Sequence, residues 1–139
     1  MIHKERWMVD GVEELEEVLP DFEPMRLGRV RSLYLDVDKD NSIIVRIRAE
    51  YCAPSRSDIL LELIFDDARQ INIPEFGMLD LSELEIRDIS DRQLEGLRRE
   101  VVNHGPDRFS LLCRKAKIGA VLSQEGDSLK LLWENRLVR

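Results

Sequence analysis

Alternation of apolar and polar residues at every second position is the pattern that most limits what this chain can fold into. In "RLGRVRSLYLDV", Leu33, Leu35 and Val37 alternate with Ser32, Tyr34 and Asp36. In "IIVRIRAEY", Ile43, Val45, Ile47 and Ala49 alternate with Ile44, Arg46, Arg48 and Glu50. "DILLELIFDD" carries the alternation on through Ile59, Leu61, Leu63 and Phe65. A period of two sends successive side chains to opposite faces of a strand, so each run has one face to bury and one to wet. The turn cluster "DKDNS" between the first two runs predicts an antiparallel hairpin.

Shorter runs follow. "ARQINIPEF" predicts a strand with Ile71 and Ile73, ended by Pro74, and "LSELEIRDI" one with Leu84 and Ile86 on one face. "VVNHGPDRFSLLC" reads as two strands joined at His-Gly-Pro-Asp. "KIGAVLSQEGDSLKLLWEN" reads as a hairpin turning at Glu-Gly-Asp, with Leu129, Leu131 and Trp133 on its inner face. The segment 91–102 is open between helix and strand. Leu94, Leu97 and Val101 suit a helical stripe and Ser90 with Gln93 resembles a capping box, whereas Gly96 and the strands that follow oppose a helix. The expectation is a turn of helix near Asp91–Leu94 and a strand from about Leu97. No βαβ alternation and no internal repeat appears. The chain therefore reads as one domain over its 139 residues, mainly β with α+β at the margin. The expected architecture is an antiparallel β-sandwich or flattened barrel of about eight or nine strands with one short N-terminal helix.

That helix lies in "GVEELEEVLPDFE". Val12, Leu15, Val18 and Leu19 fall on one stripe, which predicts a helix over Val12–Leu19 that Pro20 ends and Pro24 keeps from restarting. Asp10 is the expected cap, and Glu13 and Glu14 favour the positive end of the helix dipole. Docking of the stripe on the domain accounts for several of these acids, not for all. From Asp10 to Glu23 there are seven acids and no base, while the rest of the chain balances 21 acids with 21 bases. The whole formal net charge of −7 thus resides in the acidic segment 10–23. A neutral body with an acidic arm is a poor match for nucleic acid, whose binding rests on neutralising phosphates. It would attract a basic protein instead. Glu13, Glu14, Glu16, Glu17, Asp21 and Glu23 are accordingly the candidate partner-binding residues.

Other chemistry is weakly signalled. "DVDKDNS" resembles the start of an EF-hand loop, but Asn41 stands where that loop needs Gly and Ile47 where it needs a bidentate Glu, so a solvated turn is the reading. His3 and His104 are remote from each other, and no metal-ligand spacing occurs. His104 is expected as a surface imidazole in a turn. Cys52 and Cys113 read as reduced thiols, Cys113 on the core face with Phe109 and Leu111, Cys52 in a loop beside Pro54 where it could be exposed. Arg26, Arg29, Arg31, Arg46 and Arg48 gather on the first two strands, where they could bind an anion or another protein's acids; pairing with Glu50, Glu62 and Asp66 across the sheet is the favoured account. Trp7, Met8 and Trp133, with the acidic helix, read either as docking support or as a partly exposed binding surface with aromatic anchors. No catalytic, cofactor-binding or metal-binding residue is assigned, and no cofactor is expected. Nothing resembles a signal peptide or a membrane span, and a cytoplasmic location is expected.

The order of elements resembles a group of small bacterial β-rich proteins that includes immunity proteins of polymorphic toxin systems. The resemblance is carried by "RVRSLYLDVDKDNSIIVRI", "DILLELIFDDARQINIP", "ELEIRDISDRQLEGLRREVVN" and "DRFSLLCRKAKI". The His-Asp pair that often opens the first strand in that group is replaced here by "DFEPMRLGRV". The resemblance implies a stoichiometric inhibitor that occludes a cognate effector, with no catalytic residues. Where such an effector has a basic cleft, as a nuclease does, an acidic arm could mimic phosphate. Two other classes stand beside this one: a ligand-binding or enzymatic β-barrel with a dispersed site, and a structural subunit that forms a homodimer through an edge strand.

Overall fold

The structure, a computed structural model, describes residues 7–75, 79–92, 95–105 and 108–135. Its strands are β1 (Leu27–Val37), β2 (Ile43–Ala53), β3 (Arg56–Asp66), β4 (Arg69–Asn72), β5 (Leu84–Asp88), β6 (Arg99–Asn103), β7 (Ser110–Cys113), β8 (Lys115–Glu125) and β9 (Ser128–Glu134). They form two antiparallel sheets, a five-stranded one in the order β1-β2-β3-β8-β9 and a four-stranded one in the order β4-β7-β6-β5. Neither sheet closes on itself and no strand belongs to both, so the barrel alternative is set aside. A short α-helix, α1, spans Val12–Leu15.

The alternation does what period two requires. Val45, Ile47, Ala49 and Tyr51 of β2 lie opposite Phe65, Leu63, Leu61 and Ile59 of β3, and all eight are buried. They share one core with Leu84 and Ile86 of β5, Val101 of β6, and Leu111 and Cys113 of β7. On β1 the inner row runs outward from the core: Leu33 packs against it, but Leu35 and Val37 are exposed.

β3 is buried on both faces. Leu60, Glu62 and Ile64, which point away from the core, are nearly as buried as the inner row. Arg48 Nε donates to Glu62 Oε2 at 2.9 Å, which supplies the charged partner a buried carboxylate needs. The backbone admits this arrangement through a bulge on β8: Glu62 pairs with Ala120 and Leu63 with Ile118, so Gly119 is the extra residue. A Cβ on Gly119 would lie 2.6 Å from Glu62 Oε1 and 2.7 Å from Ile64 Cδ1, which is why glycine occupies the position.

A second bulge corrects the reading of β9. Val121 pairs with Trp133 but Leu122 pairs with Leu131, so one residue of β9 is skipped and the alternation changes face. Trp133 packs on the core, whereas Leu129 and Leu131 are exposed rather than on the inner face. The strand expected from about Leu97 begins at Arg99, behind a 3-10 turn over Ser90–Arg92. Gln93 and Leu94, the capping-box partner and the helical leucine of that expectation, lie outside the described residues, as does His3.

The N-terminal segment straps the two sheets together. Met8 N–H donates to the carbonyl of Ile86 on β5, and Trp7 Nε1 donates to the carbonyl of Leu84 at 2.7 Å. Two residues on, Asp10 N–H donates to the Ala116 carbonyl of β8 and its own carbonyl accepts from Ile118 N–H. The chain thereby crosses from one sheet to the other and delivers α1 to the end of the five-stranded sheet.

Candidate partner-binding face

Three apolar side chains fasten the acidic segment to the domain. Leu15 and Phe22 are fully buried and Leu19 is nearly so. Phe22 sits between Trp7, at a centroid distance of 5.6 Å, and Tyr51, at 5.4 Å. Tyr51 Oη accepts the Glu23 N–H at 3.1 Å, so the buried phenol has a partner and the loop end is fixed. Docking of the stripe is as expected, but the helix is shorter. It ends at Leu15, and Glu16 to Asp21 continue as turns in which Val18 and Leu19 N–H groups both donate to the Leu15 carbonyl. The cap is also different: Gly11, at φ +102°, starts the helix without a side-chain hydrogen bond. Asp10 instead lies 3.5 Å from Lys115 Nζ and pairs its backbone with β8. A left-handed φ favours glycine here, and a Cβ would also meet the Asn135 amide at 2.7 Å.

With Leu15, Leu19 and Phe22 turned inward, the acids between them face solvent. Glu13, Glu14, Glu17 and Asp21 are exposed, and among the described residues none of these four side chains has an ion-pair partner. Glu16 is half-buried and engaged, and Glu23 is half-buried. Asp21 adopts φ 60°, a left-handed turn conformation that Asp tolerates better than most residues.

The rest of the surface is balanced locally. Arg31 pairs with Glu50 at 2.9 Å, Arg48 with Glu62 at 2.9 Å, and Arg46 stands 3.7 Å from Asp36 and 3.9 Å from Glu62. Lys117 rather than an arginine takes Asp66. Arg56 holds Asp58 through Nε and Nη2, and Ser123 Oγ donates to the same carboxylate at 2.6 Å. These donors, Arg56 first and Ser123 next, hold the Asp58 carboxyl well below the usual range. Arg31, Arg46 and Arg48 are thus committed to cross-strand pairs, whereas Arg26 and Arg29 have no ion pair among the described residues. By sequence the net negative charge falls in segment 10–23, at the α1 end.

Other candidate positions are structural. Asp38 Oδ1 accepts from Asp40 N–H, Ser42 N–H and Ser42 Oγ, so the EF-hand-like stretch is a capped β-turn. No three His, Cys, Asp or Glu side chains group as metal ligands among the described residues. His104 is exposed, as expected, and its Nε2 lies 2.9 Å from Oε1 of Glu85, a buried carboxylate that Arg87 Nε also reaches at 2.9 Å. Cys52 is exposed, at the end of β2 rather than in a loop. Cys113 is fully buried, and desolvation pushes its thiol up to about 12.

Fold and surface together define a small mainly β domain of two antiparallel sheets that share an apolar core, with an acidic face at one end on which Glu13, Glu14, Glu17 and Asp21 have no ion-pair partner among the described residues. Residues 11–118 match the family described as Immunity protein PIM8, well over half of the chain, and the chain belongs to that family. The match begins at Gly11 and therefore takes in the acidic segment as well as β1 to β7. No curated protein and no solved structure matches the chain.

Proposed function

We propose that this immunity protein binds a basic toxin through the face formed by α1 and the following loop, and neutralises it by occlusion. The observation that carries the reading is the contrast in pairing. Glu13, Glu14, Glu17 and Asp21 are exposed and unpaired among the described residues, while Arg31, Arg48 and Arg56 of the body are paired with neighbouring carboxylates. Such a face raises the rate of encounter with a positively charged surface and selects against acidic ones. Its rigid mounting on Leu15, Leu19 and Phe22 adds pre-organisation, which lowers the ordering cost of binding. Two open sheets packed on one shared apolar core favour a binding protein over a ligand-holding barrel. Two free cysteines suit a reducing compartment, in keeping with action in the cytoplasm.

The test uses the tagged chain as bait in its native cell, at low and high salt, beside the variant Glu13→Gln/Glu14→Gln/Glu17→Gln/Asp21→Asn. A basic protein held near one-to-one by the wild type at low salt, released at high salt, lost by the variant, and inhibited by the purified chain would support the reading. A partner that the variant retains equally well would overturn the acidic face as its binding surface.

A further inference from the structure

An apolar cavity of about 290 Å³ opens directly beside the acidic face, between the loop after α1 and the β2–β3 hairpin. Leu19, Tyr51 and Ile59, all buried, make its floor, and the half-buried Leu132 makes one wall. Leu132 is there because the β9 bulge shifts that strand's alternation. The exposed Pro20 and Pro54 form opposite lips, and Asp21 stands on the lip next to Pro20. Among the described residues that line it, the one cation, Arg56, is held by Asp58, and Asp21 is the carboxylate without an ion-pair partner.

We infer that this cavity receives a single lysine or arginine side chain of the toxin, its methylene stem on the apolar floor and its cation against Asp21. The inference rests on the proposed acidic face and deepens it. Charge complementarity selects the occupant. A purely apolar side chain would fill the floor but leave Asp21 partly desolvated and unpaired, which is unfavourable. A long basic side chain satisfies both regions, since its stem buries well while its head stays at the wet rim. The size is also right for one side chain rather than for a peptide segment or a drug-sized ligand. The pocket would then be the anchor of the interface, and Glu13, Glu14 and Glu17 the surrounding field.

The experiment is a methyl NMR titration of the full chain with butylguanidinium, a stem with a cationic head. Guanidinium serves as the head alone and 1-pentanol as the stem alone. Expected are saturable, concerted shifts of the Leu19, Ile59 and Leu132 methyls with butylguanidinium in roughly the millimolar range usual for so small a ligand. Asp21→Asn, which keeps a residue that tolerates the left-handed turn, should weaken this binding about fivefold or more, whereas Asp40→Asn, in the exposed β1–β2 turn, changes it less than about twofold. Methyl responses equal for butylguanidinium and 1-pentanol, or unchanged by Asp21→Asn, would overturn the inference. If guanidinium and butylguanidinium perturb the Glu13–Asp21 backbone alike and the methyls stay still, the pocket assignment fails while the acidic face stands. If neither cation perturbs either region, both fail.

Discussion

Phe22 stacks on Tyr51 with ring centroids 5.4 Å apart and an interplanar angle of 23°, and this contact ties the acidic loop to the second strand of the larger sheet. Tyr51 lies on the core face of β2, and its hydroxyl takes up the backbone N–H of the residue after Phe22. One aromatic pair therefore couples the loop's position to the packing of the domain.

Removing that anchor should cost stability on the scale of a large core truncation. Phe22→Ala is expected to lower unfolding free energy by about 3–5 kcal/mol, because Phe22 is fully buried and contacts both Trp7 and Tyr51. A urea unfolding curve would show the midpoint shifted with little change in slope. A shift equivalent to less than about 1 kcal/mol would mean that the loop is not held by this side chain.

The bulge at Gly119 makes a second prediction. In Gly119→Ala the new methyl meets Ile64 and the end of Glu62, and the expected cost is about 1–3 kcal/mol. Glu62 can swing aside only by weakening its bond to Arg48. In an Ile64→Ala background the same substitution should cost less than half as much, measured as a double-mutant cycle. Equal costs in the two backgrounds would mean that Ile64 is not what the methyl displaces.

The two thiols should separate cleanly. Cys52 is exposed, whereas Cys113 is buried and its ionisation is suppressed by desolvation. At about pH 8 a thiol-specific reagent should label one site per folded chain and both sites in denaturant. Rapid labelling of Cys113 in the native protein would show that β7 opens locally.

Acid sensitivity follows from Asp58. Arg56 and Ser123 lower its folded-state pKa below that of the unfolded chain, so their stabilisation is present above an unfolded value of about 3.9 and fades as pH falls below it. Asp58→Asn should be less stable than wild type at about pH 6, and the gap should narrow by about pH 2. Thermal midpoints across that range measure it. A gap that stays constant with pH would mean that the carboxylate's charge is not what the pairing stabilises.

Much of this architecture was legible because strand existence depends on local alternation, and Val45 to Tyr51 and Ile59 to Phe65 show it plainly. What escaped were events that insert or skip a single residue. The β9 bulge reverses the faces of Leu131 and Trp133, and a period-two pattern contains no sign of where such a slip falls. The two-sided burial of β3 was partly visible in the near-continuous apolar run "ILLELIF", which is what a strand covered on both faces looks like. The early end of α1 was hidden because Pro20 marks only the last possible residue, while the turns after Leu15 satisfy the same apolar spacing. For the candidate face, composition located the acids but not their pairing. Only tertiary structure shows that Asp10 has Lys115 and Glu16 is engaged, while Glu13, Glu14, Glu17 and Asp21 stand free among the described residues.

The central claim is tested most directly by the association rate of the chain with its captured toxin as a function of salt. Wild type should associate fast at low salt and slow steeply as ionic strength rises, and Glu13→Gln/Glu14→Gln/Glu17→Gln/Asp21→Asn should be about tenfold or more slower at low salt with a much flatter dependence. Identical rates and identical salt slopes for the two proteins would contradict an interface built on the acidic face.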